Sequence, residues 1–456
     1  MAGFVQAPGA QPLLGHFLPL LRDPLRFMDS LRGQGDLVAI RVGPLRFAVV
    51  CDPVLAHEVL TDLRTFDRTG PVYDRTRRAM GSGVATATYA DHRRQRLIMQ
   101  PAFHARHLAG YAEVMRHQTG TLVGGWQDGE VVDMVEEMFR LTTSIALRAL
   151  FSTRLDPADA EKLRSAFEVF LRGSYTQLAL PSLGRLPLPA NRRYQAALRQ
   201  WRTQVRDLIA RHRGAAGDQH DLMARLLDAR GDDGEGLTDE ELCDQVAVLL
   251  IAGAETTSAA LTWAMYLLCT HPEVLDAVSA ESGRVLGGAV AGWAHLPDLE
   301  LTARVIKEAL RLYPPSWLLP RTATREARLG AHVVPSGTMV LVSQYLLHRD
   351  PDVFADPNRF DPGRWLAPGR SAAESAPPAT RPRSSSKSHH AYVPFGGGPT
   401  KCLGEQFATA EAVLALASVL ARWTPQLLDS RAARKPDCRL VMLPRHLPVR
   451  LAARAR

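Results

Sequence analysis

The chain has 456 residues, 46% of them hydrophobic and 22% charged, with a net charge of +8. That balance is too apolar for a disordered chain, and although the length suggests two or three domains, no linker divides it. The five cysteines, Cys51, Cys243, Cys269, Cys402 and Cys438, are scattered with no C-x-x-C pair, which argues against a disulfide framework or a zinc ribbon and fits a reducing, cytoplasmic setting.

The opening stretch, MAGFVQAPGAQPLLGHFLPLLRDP, holds a short apolar run broken by Gly15, His16 and Pro19, with neither a basic leader nor a small-residue cleavage pattern. It reads as neither a signal peptide nor a membrane anchor. The basic residues of the chain lie in short clusters that match no nucleic-acid recognition motif, and an acidic protein partner suits them as well. Leu37 to Asp52 reads as two short strands around Gly43-Pro44. From there to about residue 315 helical patterns dominate. Two stretches, Arg68 to His92 and Leu171 to Arg193, interrupt them as long loops, a length that in a compact chain belongs to function or disorder.

Thr238 followed by Glu241 forms a capping box, and the apolar pattern behind it stops at His271-Pro272. One helix of roughly thirty residues spans about 45 Å. Val246 to Ala252 is apolar on every side, so its middle is buried. A membrane span is disfavoured by Glu255 in mid-segment, an acidic N-terminal flank and the lack of an orienting basic cluster. In a core, an unpaired carboxylate at Glu255 is costly. Beside it, Gly253 and Ala254 remove bulk and let a flat ligand approach the backbone, while Thr256 offers a hydroxyl and Glu255 can exchange protons with water. An acid beside an alcohol makes a proton relay.

Further on, Glu308 and Arg311 share one face of a helix closed by Pro314-Pro315. Alone such a pair is worth about 0.2–0.5 kcal/mol on a solvated surface, so it informs only through its neighbours. Residues 325–345 read as hairpin-rich strands, and Arg349 to Trp365 as a turn-dense meander. Residues 367–390, rich in Ser, Pro and basic residues, cannot bury a core and read as a flexible surface insertion. Then PFGGGPTKCLGEQFA bends the chain around Cys402, just before a helical pattern whose N-terminus favours a thiolate.

Four stretches in order, HRRQR (His92 to Arg96), AGAETT (Ala252 to Thr257), EALR (Glu308 to Arg311) and FGGGPTKCLG (Phe395 to Gly404), make the chain resemble a cytochrome P450, a haem-thiolate monooxygenase of bacterial type. The likeness covers nearly the whole chain. It implies a single domain over residues 1–456, mainly α with small β-sheets, with haem b buried between the long central helix and the cysteine loop. Cys402 is then the axial ligand of the haem iron, and its electron donation favours O–O cleavage. Phe395, Gly398 and Gly404 shape the loop around the sulfur. Thr256 and Glu255 deliver protons on the catalytic face. His92, Arg96 and Arg321 supply cationic donors to the propionates. Glu308, Arg311 and Arg359 form a structural triad that ties helix to meander.

Two departures stand out. The family carries arginine or histidine two residues before the cysteine, and this chain has Thr400; His92, Arg96 and Arg321 are then expected to carry more of the anchoring. Residues 367–390 are an insertion just before the cysteine loop. No flavin or iron–sulfur segment accompanies the pattern, so electrons from NAD(P)H must arrive through a separate reductase and a ferredoxin or flavodoxin, for which a basic surface including Lys401 and Arg364 is suited. The substrate cavity is expected between Gly81 to Thr88, Leu178 to Leu188 and Ser316 to Pro320, which are mostly apolar or small. HRRQRLIMQPAFHARHL resembles members that oxidise cyclised terpenes, which points to a terpenoid or other lipophilic secondary metabolite, with macrolides and fatty acids as alternatives. A peroxide-using or isomerising relative would not need the acid–alcohol pair, and a haem-binding sensor would not need a shaped cavity.

Overall fold

The architecture follows from one element. Thr238 caps the central helix, Asp239–Thr270: its hydroxyl accepts from the Glu241 amide at 3.2 Å, and the Glu241 carboxylate accepts from the Thr238 amide at 2.8 Å. Its 32 residues cross the body over about 48 Å. Met134–Phe151, Pro189–Arg213, Glu300–Leu312 and Glu405–Arg422 pack around it, and the main apolar core lies between them. Among the described residues it is the helix long and apolar enough to cross a membrane, yet most of it is buried inside the protein. The computed structural model describes residues 4–151, 157–179, 188–213, 221–232, 234–366, 386–431, 436–438 and 440–454.

Of the part near 325–345, Ala327–Leu329 and His332–Val334 pair as a separate two-stranded sheet, while Met339–Ser343 and the strand-rich part near 37–52 belong to one six-stranded sheet. Its order is Val5–Gln6, Leu37–Val42, Leu45–Val50, Met339–Ser343, Leu318–Ala323 and Phe66–Asp67. Leu45–Val50 runs parallel to Met339–Ser343, with Phe47 opposite Met339, so strands from the two ends of the sequence meet. Another sheet pairs Trp423–Leu427 with Pro448–Ala453 and Val131–Asp133.

Both long loops are shorter than expected. Gly70–Met80 is a helix with Pro71 in its first turn, a position where the missing N–H of proline costs nothing. It ends at Gly81, whose φ of 88° suits glycine, and Tyr89–Met99 resumes as helix. In the second stretch, Pro157–Ala179 and Pro189–Arg213 are helical, and residues 180–187 lie outside the described residues. Of the insertion, residues 367–385 also lie outside them; Ser386–Ala391 is a short helix. Lys387 pairs with Asp52 at 3.2 Å, and the His390 ring stacks on His57 at 3.9 Å.

Candidate active site

Cys402 sits two residues before Gly404, which caps the helix Glu405–Arg422. The loop is fastened by Cys402 N–H donating to the Phe395 carbonyl at 2.9 Å, Lys401 N–H to Gly398, and Gly396 N–H to Val393. Two glycines are obligatory. Gly396 and Gly398 have φ of 72° and 62°, and a Cβ on Gly398 would lie 2.4 Å from the Leu60 carbonyl oxygen. The backbone of Pro53–Thr61 therefore fills the space a side chain would take. An open groove of about 260 Å³ is lined by Arg96, Gln100, Phe103, Cys402, Leu403 and Gln406 among others. From that side the thiol is accessible, while protein packs it elsewhere. Burial pushes the thiol pKa up, with the Gly404 N–H acting the other way.

In the central helix, Thr256 and Glu255 are half-buried. The Thr256 hydroxyl donates to the Ala252 carbonyl, the Ser258 hydroxyl to Glu255 and the Thr262 hydroxyl to Ser258. From the neighbouring helix the Thr142 hydroxyl donates to the Ala254 carbonyl at 2.7 Å. Hydroxyls bonding back to carbonyls bend a helix at the turn where they occur. A Cβ on Gly253 would meet only Ala146, at an ordinary contact distance of 3.6 Å, so the packing there does not itself demand glycine. The expected wall after Gly81 lies against this helix. Ser82 and Val84 donate their amides to Asp244 at 2.8 Å and Gln245 at 2.9 Å, and a Cβ on Gly83 would come 2.7 Å from Val248.

Glu308 and Arg311 have fully buried side chains. Arg311 Nε and Nη2 reach the Glu308 carboxylate at 2.9 and 2.8 Å. The expected third member, Arg359, is corrected to Arg364. Arg364 Nε donates to Glu308 Oε1 at 3.1 Å, and both of those side chains are buried. Arg359 is exposed and contributes only its carbonyl, which accepts from Arg311 Nη2 at 3.0 Å. Trp365 Nε1 and the Asp361 amide complete the shell of Glu308 at 2.9 and 3.1 Å. Arg364 is consequently no part of a basic partner surface. Lys401 is exposed but pairs with Glu405.

His92, Arg96 and Arg321 come together, and a fourth residue, Arg68, joins them. Burial, then Arg68, Arg96 and Arg321, push the His92 imidazole down to about 3, so it enters the cluster as a neutral donor rather than a cation. Arg96 Nη1 donates to the Lys401 carbonyl at 2.6 Å. Arg321 Nη2 donates to Thr400 Oγ1 at 3.0 Å. The Nε atoms of Arg68 and Arg321 are buried without a partner. Arg68 escaped the sequence reading because it stands beside a Gly-Pro punctuation taken as loop; only strand pairing brings it here. Glu411 was missed too: it is buried on Glu405–Arg422, and burial raises its carboxyl pKa well above the usual range while the Thr257 hydroxyl acts against the rise.

Such a site fits an iron porphyrin. It offers a thiol on an open groove for the metal, and guanidinium groups whose hydrogen bonds go to neutral acceptors for the two carboxylate arms. The class this defines is haem-thiolate. Comparison with known sequences places the chain in it: the family model described as "Cytochrome P450" matches residues 5–450, and the chain belongs to that family and is a monooxygenase by membership. It is 40% identical to pentalenene oxygenase of Streptomyces avermitilis, covering 98% of this chain and 97% of the relative. Cyclooctatin synthase of Streptomyces melanosporofaciens is 41% identical, covering 91% and 89%. Among solved structures, the haem domain of cytochrome P450DA superposes with a TM-score of 0.85 at 29% identity, covering 99% and 98% of the two chains.

Proposed function

We propose that this enzyme hydroxylates a terpenoid. The carrying observation is that pentalenene oxygenase, cyclooctatin synthase and cyclooctat-9-en-7-ol 5-monooxygenase, at 40%, 41% and 40% identity, match nearly the whole chain. Two of these names state oxygenation, of pentalenene and of cyclooctat-9-en-7-ol, and the third states formation of cyclooctatin; the long apolar central helix of this chain suits such a lipophilic substrate.

In this reading haem b supplies the iron at which dioxygen is split, one oxygen atom entering a C–H bond and the other leaving as water, with two electrons and two protons taken up. Cys402 would hold the iron through its sulfur, and the Gly404 N–H beside that sulfur would moderate the charge the thiolate donates. The Phe395 carbonyl fixes the Cys402 amide and so the aim of the side chain. On the central helix the Thr256 hydroxyl, whose own proton goes to Ala252, would offer its oxygen as an acceptor at the oxygen site, and Glu255 would link that face to solvent. The back-bond to Ala252 sets the orientation of that hydroxyl. Electrons arrive from NAD(P)H through a reductase and a separate ferredoxin or flavodoxin, and the enzyme works in the cytoplasm.

Purified protein titrated with cyclic sesquiterpene and diterpene hydrocarbons, a macrolide and a fatty acid separates the substrate classes by the haem spin-state shift. A cyclic terpene is expected to shift the spectrum and to yield an alcohol with a surrogate ferredoxin, its reductase and NADPH. If only the macrolide or fatty acid does so, the terpenoid reading fails. For the relay, Thr256→Ala is expected to consume NADPH while its product per NADPH falls by roughly tenfold, less than the ~10²–10⁴-fold that a positioned acid–base group contributes to rate; unchanged coupling would remove Thr256 from the proton path.

A further inference from the structure

Two arginines gathered at a sheet edge, Arg321 buried and Arg68 half-buried with its Nε enclosed, are short of a negative charge. The edge strand Phe66–Asp67 runs antiparallel to Leu318–Ala323, with Phe66 opposite Ala323 and Asp67 opposite Thr322. Arg68 is the bend residue that follows this strand and Arg321 the residue beside Thr322, so the pairing brings the two cations close enough for the Arg321 charge to act on Arg68. Like charges held together repel, and a guanidinium does not relieve the repulsion by losing its proton. Burial, then Arg321, push the Arg68 pKa down to about 10.

The hydrogen bonds of this pair go to neutral groups. Arg68 Nη1 donates to the Val84 carbonyl at 2.7 Å. Arg321 Nη1 donates to the Tyr73 hydroxyl and its Nη2 to Thr400 Oγ1. Asp67, the adjacent acid, accepts with one oxygen from the amides of Arg68 and Tyr89. Each arginine keeps its Nε buried and unpartnered. Cationic donors without an acid, buried beside the cysteine loop, are arranged for an anion that the chain does not itself supply.

Thr400 makes this arrangement particular to the present chain. Where its relatives are expected to place a cation, the Thr400 hydroxyl accepts from Arg321 and holds that guanidinium against the loop. We propose that Arg68 supplies the charge missing at Thr400: Arg68 and Arg321 together hold one haem propionate, and Thr400 positions Arg321. The inference rests on haem as the cofactor and is independent of the terpenoid reading.

The test is transfer of ferric haem from the holoenzyme to excess apomyoglobin, which involves no substrate. Arg68→Gln is expected to release haem about tenfold faster, the change that about 1.4 kcal/mol makes. Arg68→Lys, which keeps the charge, should recover most of the retention. Adding Thr400→Arg to Arg68→Gln should return the rate toward that of the parent. With haem carrying esterified propionates, the parent and Arg68→Gln should release it equally. Because Arg68 also ties down Val84, a loosened loop alone would speed loss of both haems equally, with no rescue by Thr400→Arg. That pattern, or natural haem leaving Arg68→Gln at the parental rate, overturns the assignment.

Discussion

Two clusters of arginine, both drawn from residues that precede the cysteine loop in sequence, are built on opposite principles. Around Glu308, Arg311 and Arg364 meet a carboxylate that also receives the Trp365 indole and the Asp361 amide. Arg311 extends the network to the carbonyls of His348, Pro357 and Arg359. In the other cluster, Arg68, Arg96 and Arg321 donate to carbonyls and hydroxyls, and buried Nε atoms of Arg68 and Arg321 remain over. A cluster that contains its own counter-charge can only hold the fold together. One that lacks it is made for a charged ligand, because unpaired buried charge is tolerated only where something else compensates it.

The largest expected effect comes from taking the acid out of the complete cluster. Glu308→Ala leaves two buried guanidinium groups without their counter-charge, and breaking a buried pair costs about 3–5 kcal/mol. The expectation is little folded holoprotein, read by soluble yield and haem Soret absorbance. A normal yield of holoprotein would mean the cluster does not carry stability.

The choice between Arg364 and Arg359 sharpens the same comparison. Arg364→Ala removes a buried partner of Glu308 and is expected to lower the thermal midpoint by several degrees, as a loss of about 2–3 kcal/mol does in a chain of this size. Arg359→Ala keeps the carbonyl that Arg311 uses and should stay within about 0.5 kcal/mol of the parent. The reverse order would restore Arg359 to the triad.

These residues also show what a sequence can convey. The cysteine loop was legible because glycine at positive φ and one cysteine before a helix leave few alternatives, and the structure places φ of 62° at Gly398 against the Leu60 carbonyl. The central helix was legible to within a residue because its cap and its proline stop are local signals. Arg359 and Arg364 were not separable, since DPNRF and DPGRW carry the same punctuation five residues apart; which arginine turns inward is decided by the 3₁₀ turn Pro362–Trp365 packing on Glu300–Leu312. Arg68 was hidden because Arg321, whose charge acts on it, is 253 residues away, and only the pairing of the strand before it with Leu318–Ala323 brings the two together. The short C-terminal strands escaped because Pro425 and Pro448 lie within them.

Glu411 is the mirror image of the incomplete cluster, and it answers burial differently. It is a buried carboxyl whose pKa is raised by burial, and unlike arginine it can become neutral by taking a proton. A raised folded-state pKa means that the native chain keeps a proton which the unfolded chain releases above about pH 4.3. Stability from this group is therefore present below that pH and lost as pH rises toward the folded-state value. Glu411→Gln has no proton to lose, so its thermal midpoint should move above the parent's as pH rises from 5 to 6, by the equivalent of up to about 1.4 kcal/mol per pH unit. Parallel pH profiles for the two proteins would mean that Glu411 ionises in the folded state as freely as in the unfolded one, and that some group compensates it as Glu308 compensates Arg311.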